Sequence, residues 1–427
     1  MSEAAFTAEV YQNQYLPAGG TVVDAVVTVT ASGGTLRPGS APPSAAQVIM
    51  IDCSGSMANP VTKIAEAKKA TMAAIDTLRD GVAFAVVSGR NEADMVYPHQ
   101  PMLVPASPQT RNEAKFAVSR LSAAGGTAIG RWLAMANMLF AGNPAEVKHA
   151  ILLTDGRNQH ETAEQLAATL RACEGRFICD ARGVGADWVA NELMAVASTL
   201  LGSADGLPDP AELVEEFRTM TEAAMGKGMA EVALRLWTPA GAKLRFVKQA
   251  FPHVEDLSGR RVEVSPRVGD YPTGAWGAES RDYHVSVEVA PGGLGEEMLA
   301  ARVSLVSGDQ VLAQGRVLAT WTDDTALSTQ INPRVAHYTG QAELAEAIQQ
   351  GLAAREAGDV ETATAKLGRA VQLAEETGRD DTAKLLGKVV DVIDAGTGTV
   401  RLKQKVAGVD AELASVRSVK TVRVRNI

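Results

Sequence analysis

Cysteine is nearly missing: three residues in a chain of 427, an odd number, with Cys173 and Cys179 the one close pair. That count does not make a disulfide scaffold and fits a reduced, cytoplasmic protein. Long apolar runs are missing too. No window approaches the roughly 18 to 20 apolar residues of a membrane-spanning helix. The first residues, MSEAAFTAEVYQ, are acidic and lack the basic start and apolar stretch of a signal peptide. Nor is there an excess of positive charge. The net charge is −9 and is spread along the chain, which argues against nucleic acid or an anionic membrane as partner. Short basic groups such as Arg260-Arg261 and the tail Lys420, Arg423 and Arg425 read as solvated faces. What is present in quantity is apolar residue, 46% of the chain, enough for a sizeable core. The length implies two or three domains.

Residues 21–32 are β-branched between glycine pairs and read as a strand; residues 38–43, rich in Pro, Ser and Ala, read as a linker. From 46 to 228 strands and helices alternate. VIMID (48–52) is a strand buried on both faces. A helical stripe follows at Val61, Ile64, Ala67, Thr71, Ile75 and Leu78, with Lys63, Glu66, Lys69 and Asp76 placed on the other face. Strands are expected at 82–88, 149–155 and 176–185, and helices near 110–121, 128–141, 161–173, 188–200 and 210–225. Such repeats imply a parallel, doubly wound α/β sheet. Between 229 and 332 the pattern turns to period 2. Thr238-Pro239-Ala240-Gly241 reads as a hairpin turn, and the block as an antiparallel β-sandwich. Strand 21–32 alternates in the same way, which makes the α/β domain an insertion in the sandwich. Residues 333–396 read as a helical cap, with Gly358-Asp359 a helix stop followed by an N-cap and a third helix over 381–394. One stretch there loosely resembles a tetratricopeptide unit, too few copies for a solenoid. The tail 397–427 is either a closing strand or a partner-dependent extension.

Three separated segments carry chemistry. Asp52-Cys53-Ser54-Gly55-Ser56 follows the buried strand directly. Gly125-Gly126-Thr127 enters a helix, and Asp155-Gly156 follows the strand ILLT. In a parallel sheet both strand exits lie at the carboxyl edge, where ligand sites of open α/β folds collect. Alone, each segment has a plainer reading: a helix cap, a helix entry, a turn. Together, Asp52, Ser54, Ser56, Thr127 and Asp155 offer only oxygen, a donor set that suits Mg²⁺ and tolerates Mn²⁺ or Ca²⁺. Cys53 has no His placed to activate it; His160 reads as a surface residue at a helix start, and Cys173 and Cys179 as small buried hydrophobes.

The DxSxS loop, the later Thr and the strand-TDG segment resemble the metal-ion-dependent adhesion site of the von Willebrand factor A and integrin inserted-domain family, over roughly 47–228. The resemblance implies direct coordination by Ser54 and Ser56 and direct or water-mediated coordination by Thr127. It implies too that Asp52 and Asp155 act often through water, and that a partner protein's Asp or Glu can take the sixth position. The arrangement of domains resembles intracellular bacterial members. One departure is the stretch 202–206, poor in β-formers where the last strand belongs. The expected function is therefore a metal-dependent protein-interaction module and not an enzyme, with Met57, Asn59, Arg157 and His160 as its rim. A phosphatase of the haloacid dehalogenase type needs a second Asp two residues after the first; Ser54 stands there. A subunit of an ATPase-linked machine remains a further class, and with no Walker A sequence in the chain any nucleotide would belong to its partner.

Overall fold

The computed structural model describes residues 6–32 and 44–424; the expected linker 38–43 and Arg425 lie outside the described residues. The chain divides into two units. One comprises the described parts of 1–40, 231–404 and 417–427, and the other those of 41–230 and 405–416.

The second unit is a doubly wound sheet. Its strand order runs Ala204–Leu207, Ile178–Val184, Val147–Thr154, Ala45–Asp52, Ala83–Gly89, Ala93–Tyr97. Neighbours in that order are parallel except Ala93–Tyr97; it and the short Val104–Pro105, which pairs with Ala83–Gly89 off this order, are antiparallel and were not announced by the sequence pattern. Strand Ala45–Asp52 is buried at every residue. On one face Ile49, Ile51, Phe84, Val86, Ile151 and Leu153 pack with Ala67, Ala74 and Ile75 of helix Thr62–Thr77 and Phe217 of helix Leu213–Met225. From the central strand the chain moves first to Ala83–Gly89 on one side and later to Val147–Thr154 on the other. The exits of Ala45–Asp52 and Val147–Thr154 therefore flank the topological switch point. The last strand has four residues, and its composition has a cause. The Trp188 ring occupies the space where Cβ atoms of Gly183 and Gly206 would stand, and those two glycines are register partners on neighbouring strands. A β-former at either place would displace the indole.

The first unit holds two sheets and a set of helices. In one sheet Phe6–Gln12, Val22–Ala31, Ser280–Glu288, Lys243–Phe251 and Glu255–Asp256 are neighbours in that order. Val22–Ala31 thus pairs across the inserted α/β segment with Ser280–Glu288. The other sheet runs Val262–Ser265, Val268–Trp276, Met229–Trp237, Glu297–Ser307, Gln310–Thr322, Tyr15–Pro17, and its last pairing is parallel. The expected hairpin at 238–241 does not form. Met229–Trp237 and Lys243–Phe251 lie in different sheets, so the turn is a corner between them. Helices Pro333–Glu356 and Val360–Glu376 follow, separated by Gly358 in the left-handed region and capped by the Asp359 side chain. The third helix ends at Val389. Residues Val390–Asp394 and Thr399–Leu402 form a hairpin instead of its last turn, because a β-branched run meets a Gly-Thr-Gly turn. Within the tail, Thr399–Leu402 is the second strand of that hairpin, Gly408–Ser418 is a helix, and Lys420 makes an isolated antiparallel bridge with His253. No helix among the described residues is long and apolar enough to cross a membrane.

Candidate metal centre

Asp52 ends its strand and Asp155 follows Val147–Thr154 directly, so both carboxyls meet at the carboxyl edge, fully buried. Asp52 is held by the backbone around it. Its Oδ1 accepts from Ser54 N at 2.7 Å, and its Oδ2 from Thr154 Oγ1 at 2.7 Å and Asp155 N at 3.3 Å. Burial pushes this carboxyl up to about 6, against the hydrogen bonds of Ser54 and Thr154; the neighbouring Asp155 charge adds to the rise.

Ser54 precedes the single turn Gly55–Ala58 yet makes no side-chain cap bond, so the plain reading of DxSxS as a helix cap fails. Its Oγ lies instead 2.9 Å from Ser56 Oγ, and Ser56 Oγ donates to Asp155 Oδ1 at 2.6 Å. Gly55 N donates to Gly125 O at 2.9 Å, tying the first loop to the second. Gly125 takes φ +86°, which a residue with Cβ adopts only with strain. The Cβ position of Gly156 lies 3.4 Å from Ser56 Oγ and 3.6 Å from Thr127 Oγ1. Hydroxyls from the first and second loops therefore converge on the third. All five expected residues come together, with Ser56 exposed and the other four buried.

A ring of partners that the motifs did not reveal fixes the second loop. Asn91 Oδ1 accepts from Gly126 N, Asn158 Oδ1 from Ile129 N at 3.0 Å, and Glu161 Oε1 from Gly130 N. Asn158 N in turn donates to Glu192 Oε2 at 3.1 Å. His160 is exposed, as expected, but its ring lies against Gly126 and its Nδ1 accepts from Thr127 N at 3.2 Å. It is part of the site's wall. Met57, expected at the rim, is completely buried in the core; Asn59 and Arg157 are exposed.

The larger correction is Lys63. Helical periodicity placed it on the solvent face and Val61 on the core face. The structure reverses both: Val61 is 70% exposed and Lys63 only 4%. Helix Thr62–Thr77 starts just after Val61, so that residue belongs to the loop. The lysine stem runs beside Gly185, and Nζ donates to Asp155 Oδ2 at 2.8 Å.

The donor set fits a hard divalent cation. It is all oxygen, with two buried carboxylates and, beside Gly156, the hydroxyls of Ser56 and Thr127. The three thiols are free and buried, and burial pushes Cys53 up to about 12, which removes it as a nucleophile at neutral pH.

An open parallel sheet with this constellation at its switch point defines a von Willebrand factor A-type module. The comparisons agree. Residues 46–205 match the von Willebrand factor type A domain, and residues 372–416 the von Willebrand factor type A C-terminal domain. A von Willebrand factor type A protein of Catenulispora acidiphila is 52% identical, with 99% of this chain and 98% of that one covered and a TM-score of 0.93. The chain belongs to the von Willebrand factor type A family. An ArnB paralogue from Sulfolobus acidocaldarius shares the fold at 14% identity, over 97% of this chain and 98% of that one, with a TM-score of 0.56. An uncharacterised protein of Synechocystis sp. is 30% identical over 237 residues, 53% of each chain. This chain thus spans about half the length of that curated relative.

Proposed function

We propose that Asp52, Ser54, Ser56, Thr127 and Asp155 hold a divalent cation, Mg²⁺ by preference with Mn²⁺ or Ca²⁺ able to replace it. On this reading the protein is a metal-dependent interaction module whose protein partner contributes an Asp or Glu. The observation that carries the reading is the convergence of the Ser56 and Thr127 hydroxyls beside Gly156, 3.4 and 3.6 Å from one point, against two buried carboxylates. The bound cation would offer a Lewis-acidic position to an anionic oxygen. Ser56 donates its hydroxyl hydrogen bond to Asp155 and accepts one from Ser54, which leaves one lone pair free to ligate. Asp52 takes the Ser54 amide and the Thr154 hydroxyl, which keeps the first loop folded back. Asn59, Arg157 and His160 stand exposed on these loops as a specificity rim.

A phosphatase reading has less support, since Ser54 stands where an acid/base carboxylate is required. Nothing in the charge pattern calls for nucleic acid or a membrane. Three buried, unpaired thiols fit a reducing compartment such as the cytoplasm. Affinity capture from the native host tests the function. The partner should be retained in Mg²⁺ and lost in EDTA, and lost equally with Asp52→Ala. A partner that survives both treatments puts the recognition surface elsewhere.

A further inference from the structure

Lys63 is a buried cation inside the candidate metal centre, and no feature of the five-residue motif accounts for it. Its Nζ lies 2.8 Å from Asp155 Oδ2, while Asp155 Oδ1 accepts from Ser56 Oγ at 2.6 Å. The ammonium is therefore joined through one carboxylate to a hydroxyl expected to ligate the cation. The nearest other acid, Asp187, is 3.6 Å from Nζ but 69% exposed, so water screens it. The lysine cannot swing away freely. Its side chain is 6% exposed, and the space beside Gly185 is filled by its Cε.

We propose that Lys63 couples the metal to the partner's carboxylate, so that each binds weakly alone and tightly with the other; this rests on the metal-site reading above. With both carboxylates ionised, Asp52, Asp155 and Lys63 leave the cluster one net negative charge. A dication converts that to one net positive charge in a low-dielectric pocket, which penalises the metal on its own. One carboxylate from a partner brings the cluster to neutrality. A second would overshoot, so the site favours a partner presenting a single acidic side chain over a clustered pair. Coupling of this kind is reciprocal: whatever the carboxylate adds to metal affinity, the metal adds to carboxylate affinity.

The test is a Mn²⁺ titration of the full chain, followed by the electron paramagnetic resonance signal of free Mn²⁺. It is run in chloride and in acetate at matched ionic strength, with acetate as the monocarboxylate probe. Wild type should bind Mn²⁺ several-fold tighter in acetate, after correction for Mn²⁺–acetate pairing in solution. Lys63→Met should bind Mn²⁺ roughly tenfold tighter than wild type in chloride and gain little from acetate. Lys63→Arg keeps the charge and should retain wild-type coupling. Equal wild-type affinity in the two salts overturns the proposal without reference to any variant. So does a folded Lys63→Met that binds no tighter than wild type. Should wild type take up no Mn²⁺ in either salt, the metal-site reading itself fails. If it binds and Ser54→Ala does not, the site stands and the salt comparison judges Lys63 alone.

Discussion

Asp180 illustrates how a single part-buried side chain sets pH behaviour away from the candidate metal centre. Its Oδ2 lies 2.8 Å from His149 Nε2, and its Oδ1 accepts from Ser203 N at 2.7 Å and Ser203 Oγ at 2.6 Å. Burial alone would raise this carboxyl. The hydrogen bond and charge of His149, with Arg182 and Ser203, outweigh it and hold the group well below its ordinary 3.8. A depressed folded value contributes stability that is present above the ordinary value and lost as pH falls beneath it. Asp180→Asn should therefore cost roughly 3 kcal/mol at pH 7, and the gap to wild type should begin to narrow below about pH 4 and go on narrowing as pH falls. Urea unfolding at pH 7 and pH 3 checks this, and a gap independent of pH would refute it. The five candidate residues could be picked out because each is a short oxygen donor, four of them at strand exits and Thr127 at a helix entry, in one motif order. Lys63 was not. Its partner Asp155 lies 92 positions away, and periodicity assigns a lysine to water unless something long-range claims it.

Among the elements, strands and helices of the α/β unit were readable because each carries its own period and its own turn residues. Elements defined by a neighbour were not. The edge Ala93–Tyr97 has only five residues, and whether two strands form a hairpin or a corner between sheets depends on pairings that local sequence does not encode. Helix Gly408–Ser418 is the clearest case. Its residues Leu413, Ala414 and Val416 are buried, and Leu413 Cδ2 lies 3.0 Å from the Cβ position of Gly206. Glu412 Oε2 accepts from Ala190 N at 2.7 Å, closing the start of helix Ala190–Thr199. The segment is thus an integral part of the α/β unit. Leu413→Ala in the full chain should destabilise that unit by about 2–4 kcal/mol, visible as an earlier calorimetric transition. An unchanged melting profile would mean the helix contributes no packing there.

Across the whole molecule, the insertion was inferable from one fact: strand 21–32 alternates like the strands after 229, and its register with Ser280–Glu288 bears this out. Less inferable was that 405–416 returns to the α/β unit, because a short amphipathic helix carries no address. The central claim remains the divalent cation at the switch point of the sheet, and calorimetric titration of Mg²⁺ into the full chain tests it most directly. Wild type should show one saturable site. Ser54→Ala and Thr127→Ala should lose the binding heat while keeping wild-type circular dichroism, since both lie on loops outside the core. Saturable binding unchanged in both variants, or none in wild type, would contradict it.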